Sequence, residues 1–143
     1  MFEIKAFKDW STHDGGGYQF NLYYNKKKFA FVHNDGNGGS IEMDFYDKAV
    51  FPPIWDNHVK SLGQWKSDFG AINGTEFFDH DDDTAIGILV EDYEMSKMRK
   101  KGTVFRLKTD KEHMGYRILN VKDVDVATKW LADKFGADQF ELV

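Results

Sequence analysis

From Tyr18 to Tyr24 the chain alternates Tyr18, Phe20, Leu22 and Tyr24 with Gln19, Asn21 and Tyr23, the period-two pattern of a strand with one buried face and one wet face. A helix cannot use this pattern, because its faces recur every three to four residues. Asn25-Lys26 follows with turn chemistry, since Asn tolerates positive φ, and Lys28 to Asn34 reads as the returning strand of a hairpin. Asp35-Gly36 and Asn37-Gly38 are two more positive-φ dipeptides, after which Ile41, Met43 and Phe45 alternate with Glu42 and Asp44. Upstream, Phe2, Ile4 and Ala6 alternate with Glu3 and Lys5 in a first strand over Phe2 to Phe7, and a glycine-rich loop is expected from Asp9 to Gly17. Together these segments predict a four-stranded antiparallel meander.

Pro52-Pro53 closes the meander and suits the first turn of a helix, where a missing N–H is no loss. Ile54, Trp55, His58, Val59 and Leu62 give that helix an apolar stripe, with Gly70 as its expected end. Ile86, Leu89, Val90, Tyr93 and Met98 mark a longer helix over Thr84 to Lys101, with acids before its start and Arg99, Lys100 and Lys101 in its last turn, matching the helix dipole. Thr103 to Lys108 and Tyr116 to Leu119 read as strands around a polar loop. Asp123 is the expected N-cap of a last helix carrying Val126, Ala127, Trp130, Leu131 and Phe135, closed by Gly136, and Phe140 and Leu142 suggest a short terminal strand. The expectation is an α+β fold: an antiparallel β-sheet, the N-terminal four-stranded meander plus C-terminal strands, packed with two or three helices. One domain over 1–143 is expected, with the meander in 1–50 and a mixed helix and strand portion in 51–143 packing on it.

A chain of 143 residues, 16% aromatic and with 13 Phe, has the material for a real core without staples. It has no cysteine, so disulfides, thiolate zinc sites and cysteine nucleophiles are excluded. A net charge of -5 disfavours general binding to nucleic acid or anionic membrane. No segment approaches the ~20 apolar residues of a membrane span, and the N-terminal residues lack a signal-peptide pattern. A soluble, cytoplasmic protein is therefore expected, in which the Asn73-Gly74-Thr75 sequon is silent.

Asp79, His80, Asp81 and Asp83, with Asp82 between them, are the sharpest chemical candidates: hard or borderline donors able to hold Mg²⁺, Mn²⁺ or Ca²⁺. A calcium-loop reading fails at Thr84, where the turn needs Gly, and at Val90, where a bidentate Glu is required. The competing explanation is that acids crowd the start of a helix because its free N–H groups and positive dipole end favour them. Asp35, Gly36, Asn37, Gly38 and Gly39 form a glycine-rich loop that could cradle an anion, yet it lacks the Lys-Ser/Thr of a phosphate loop, and a strand connection with successive left-handed turns explains it better. If Gly15 to Gly17 fall at the same end of the sheet, the two loops would form one rim. Lys26 to Lys28 beside Tyr23 and Tyr24 mixes cations and rings as single-stranded nucleic-acid binders do, but charge at a hairpin tip also keeps an edge soluble. His13, His33, His58, His80 and His113 show no metal-helix spacing; His58 lies on an apolar stripe and is expected to be partly buried. The four Trp residues are expected in the core or at its edge.

The block Gly17-Tyr18-x-Phe20-x-Leu22-Tyr23 followed by Asn34-Asp35-Gly36-Asn37-Gly38-Gly39, together with the ending from Tyr116 to Val143, resembles small uncharacterised proteins of bacteria and their phages or plasmids. That resemblance carries no activity, cofactor or site; it implies an accessory protein that acts by binding a host or rival component. The expected function is a non-catalytic binding protein, without cofactor, that engages a protein or small-molecule ligand through an aromatic sheet face around Tyr18, Phe20, Tyr23 and Tyr24 or through its glycine rim. A divalent-metal phosphoester hydrolase using the Asp79 to Asp83 cluster with Mg²⁺ or Mn²⁺ is the enzyme alternative. A single-stranded nucleic-acid binder is the third.

Overall fold

The computed structural model of the protein describes residues 1–13, 15–67, 76–111 and 115–143. Among them three helices and nine strands make an α+β structure with antiparallel sheets. The chain divides into two compact units, Met1–Val90 and Glu91–Val143.

In the first unit, β1 (Phe2–Thr12), β2 (Gly15–Tyr24), β3 (Lys27–Asn34) and β4 (Glu42–Phe45) form the meander in sequence order. Asn25 and Lys26, at φ 47° and 68°, make the tight turn between β2 and β3, the left-handed pair whose twist suits a hairpin. One face supplies the core: Phe20, Leu22, Ala30 and Val32 have no exposed surface, and Leu22 pairs with both Ile4 and Ala30 across the sheet.

The expected loop from Asp9 to Gly17 is instead strand: Asp9, Trp10, Ser11 and Thr12 of β1 pair with Tyr18, Gly17, Gly16 and Gly15 of β2. A bulge makes this extension possible. The register shifts between Lys5 and Lys8, with Ala6 at φ 56°, so Ala6 and Phe7 together oppose Phe20. Phe7 still stacks on the core rings of Phe20 and Tyr18, at 6.1 and 6.0 Å.

Helix α1 (Phe51–Ser61) starts with Pro52 and Pro53 in its first turn and lays Trp55, 1% exposed, on the sheet. Phe51 meets Phe29 at 4.7 Å and Trp55 meets Phe2 at 5.5 Å, which seats the helix on the buried face. The helix ends at Ser61, well before Gly70, because Gly63 takes φ 71° and redirects the chain into a hairpin of β5 (Gln64–Ser67) and β6 (Glu76–Asp79). Gly70 and the Asn73-Gly74-Thr75 tripeptide lie outside the described residues. Helix α2 (Asp82–Lys101) begins two residues before the expected Thr84, and its Ala85, Ile86 and Val90 complete the first unit's core.

In the second unit, β7 (Thr103–Leu107) lies between β8 (Arg117–Leu119) and β9 (Phe140–Leu142). Helix α3 (Val124–Phe135) is capped as expected by Asp123, whose carboxylate accepts from the N–H groups of Asp125 and Val126, and it stops at Gly136. Its buried face carries Ala127 and Leu131, and Phe135 reaches Phe105 of β7 at 6.3 Å.

Candidate functional site

The meander's second face is unusually rich in rings. Phe31 and His33 alternate with buried Ala30 and Val32 and so point the other way, where their rings lie 6.4 Å apart. The bulge in β1 brings Trp10 to the same side, 5.8 Å from His33. Tyr23 lies under the ammonium of Lys5 at 4.4 Å, and Tyr46, 52% exposed, donates its hydroxyl to Asn21 Oδ1 at 3.0 Å. None of these five aromatic side chains belongs to the hydrophobic core. Charges of both signs surround them: Lys5, Lys8 and Lys28, and Lys48 at 4.0 Å from Asp44, stand among Glu3, Glu42 and Asp44, which sit opposite Tyr23, His33 and Phe31.

Of the residues the sequence nominates for this face, Tyr23 alone stands on it. Phe20 is enclosed with 0% exposure, and Tyr18 and Tyr24 pack against the core from the buried side. Trp10, Phe31 and His33 complete the face: alternation with Ala30 and Val32 puts Phe31 and His33 there, whereas the side on which Trp10 falls depends on the bulge.

At one end of the sheet the two glycine segments meet. Gly36, buried and at φ 82°, packs so closely on the other segment that a Cβ there would come within 2.7 Å of Gly17 N. Trp10 lies across Gly17 and donates its indole N–H to the Asp35 carbonyl at 3.1 Å, and the Thr12 hydroxyl donates to the Gly36 carbonyl at 2.5 Å. Two donors that an anion would want are already engaged: Gly36 N–H donates to Asn34 Oδ1 at 3.0 Å and Asn37 N–H to Asp35 Oδ1 at 2.8 Å. Side chains of Asn34 and Asp35 thus occupy the N–H groups of Gly36 and Asn37 in this loop.

The acidic run borders an open cleft of about 460 Å³, lined among others by Asp56, Lys60, Gln64, Asp79, His80 and Asp82. Each of its side chains has a local role. Asp79 Oδ1 accepts from Gln64 Nε2 at 3.1 Å, joining the ends of β5 and β6. Asp81 caps α2: its Oδ1 accepts from Thr84 N–H at 2.9 Å while the Thr84 hydroxyl accepts from Asp81 N–H at 2.9 Å, a reciprocal capping box. Those bonds favour the charged carboxylate and lower the Asp81 pKa below the usual carboxylate range, the Thr84 N–H being the chief cause. Asp82 Oδ1 accepts from Trp55 Nε1 and Asp83 Oδ1 from Ile41 N–H, both at 2.8 Å. His80 Nδ1 lies 3.0 Å from the Thr84 hydroxyl. Among the described residues, no three or more His, Asp or Glu side chains converge as a metal ligand set would.

His58 packs between Phe2 and Trp55, at 4.7 and 5.3 Å, and burial there lowers its pKa from the usual imidazole value. His113 lies outside the described residues. Besides Trp10, two tryptophans depart from the expected core location: Trp65, 38% exposed, pairs with Phe78 at 5.0 Å on the β5–β6 hairpin, and Trp130, 42% exposed, lies beneath the Lys134 ammonium. No described helix is long and apolar enough to cross a membrane. Comparison with known protein families, curated proteins and solved structures finds no match to this chain.

Proposed function

We propose that this chain is a non-catalytic binding protein whose recognition surface is the outer face of the meander. The observation that carries the reading is the set of rings Trp10, Tyr23, Phe31, His33 and Tyr46 on a sheet face outside the core. A solvated sheet face is ordinarily polar; large rings with hydrogen-bonding tips are what protein interfaces enrich. Gln19, Asn21 and charges of both signs supply a polar surround, which suits a protein partner better than a phosphate backbone, since nucleic acid calls for a clear excess of cations. The resemblance to small proteins of bacteria and their phages or plasmids would make the partner a host or rival component. The hydrolase alternative has less support, because the Asp79 to Asp83 carboxylates each serve a separate structural bond.

The test is affinity capture with mass spectrometry, comparing the protein with a Tyr23→Ser, Phe31→Ser, Tyr46→Ser variant whose unchanged circular dichroism shows that it folds. One partner recovered in stoichiometric amount by the protein and lost by the variant is the expected result. Equal recovery by both would refute this surface, and tight Mn²⁺ uptake abolished by Asp81→Ala in calorimetry would favour the hydrolase.

A further inference from the structure

The second unit holds an open surface cleft that the proposed recognition surface does not involve. It measures about 330 Å³, at the small end of ligand sites, and its apolar wall is made by Val104, Val124, Leu142 and Val143. Arg99, from the last turn of α2, and Lys122, from the segment before α3, also line it, and among the described residues no Asp or Glu side chain does. In a chain of net charge -5 this is a local inversion of sign. Lys134 lies over Trp130 and Arg117 is paired with Asp110, whereas the Arg99 and Lys122 side chains have no hydrogen bond or ion pair among the described residues.

We propose that this cleft binds a small carboxylic acid with an apolar body. The planar fork of Arg99 matches a carboxylate, which it can hold through two parallel N–H···O bonds, and Lys122 adds a second positive charge. The valine and leucine walls offer carbon to the rest of the ligand. They offer little to a sugar or a hydroxyl-rich phosphate ester, since the hydroxyl of Thr103, the one among the described lining residues, already donates to the Val121 carbonyl at 2.7 Å.

The experiment is an NMR titration of the full chain, labelled at valine and leucine methyl groups, with hexanoate and with hexanamide, its uncharged counterpart. Saturable shifts confined to Val104, Val124, Leu142 and Val143 are expected with hexanoate, with hexanamide roughly tenfold weaker or silent. Arg99→Gln and Lys122→Gln should each weaken hexanoate binding by about three- to tenfold, and Val126→Thr, on the exposed side of α3, should leave it unchanged. The proposal is overturned if hexanoate gives no saturable shift, if hexanamide binds equally well, or if neither substitution alters the affinity.

Discussion

The indole N–H of Trp55 donates to Asp82 Oδ1 at 2.8 Å, so the most deeply buried ring of α1 is tied to the first turn of α2. A Trp at 1% exposure has little access to water for its N–H, and the acidic run supplies the missing acceptor. Asp82→Ala should therefore lower stability by about 1–2 kcal/mol, read as a shift of the urea midpoint, and Asp82→Asn should recover most of it because the amide oxygen still accepts. Equal losses for the two variants would show that the bond is not what Asp82 contributes.

The capping box predicts a second stability effect. Asp81→Ala removes the acceptor for Thr84 N–H and should cost about 1 kcal/mol, with Asp81→Asn or Asp81→Ser intermediate, in the same urea titration.

Acid should weaken the protein through identifiable carboxylates. Asp110 accepts two bonds from Arg117, at 2.8 and 2.9 Å, and one from Leu107 N–H at 3.0 Å; the Arg117 bonds chiefly, then the N–H, hold its pKa down at about 2. A carboxyl whose pKa is depressed on folding contributes stability that is complete above its unfolded pKa, near 3.8 here, and is lost as pH falls through the folded value. Urea midpoints should consequently decline between about pH 4 and pH 2, and Asp110→Asn should flatten that part of the profile. Asp81 acts in the same direction.

Two glycines at the same φ of 82° separate close packing from backbone strain. A methyl group on Gly38 would meet nothing within 4 Å, so Gly38→Ala should cost only the left-handed conformation, about 1 kcal/mol. Gly36→Ala adds a collision with the Gly17 backbone and should cost at least twice as much, measured by thermal or urea unfolding. Similar losses would mean that the rim can open.

Ala6, at φ 56° within the β1 bulge, supplies a converse case. Ala6→Gly relieves left-handed strain while loosening the unfolded chain, and a net gain of up to about 0.5 kcal/mol is expected. A clear loss would indicate that the Ala6 methyl is needed for packing.

Much of the architecture was legible in the residues themselves. The alternation from Tyr18 to Tyr24, the Asn25-Lys26 turn, Asp123 before α3 and Gly136 after it all appear where backbone sterics and local periodicity put them. The acidic run could be read as a helix start for the same reason, and Asp81 takes that role. The β5–β6 hairpin was not legible, because Trp65, Phe77 and Phe78 all keep exposed surface and carry no alternating burial to mark the strands.

Local order in this chain follows from side-chain period and from residues that tolerate or forbid particular φ values, and both are properties of short windows. Which groups become neighbours depends on chain closure. One extra residue at Ala6–Phe7 sends Trp10 to the outer face beside His33, and the approach of α1 to α2 decides that Asp82 meets Trp55. Side-chain period and φ preference were enough for most strands, turns and caps; the make-up of the ring-rich outer face and the partners of each carboxylate were decided by folding, because contacts between distant residues are set by register and packing rather than by spacing.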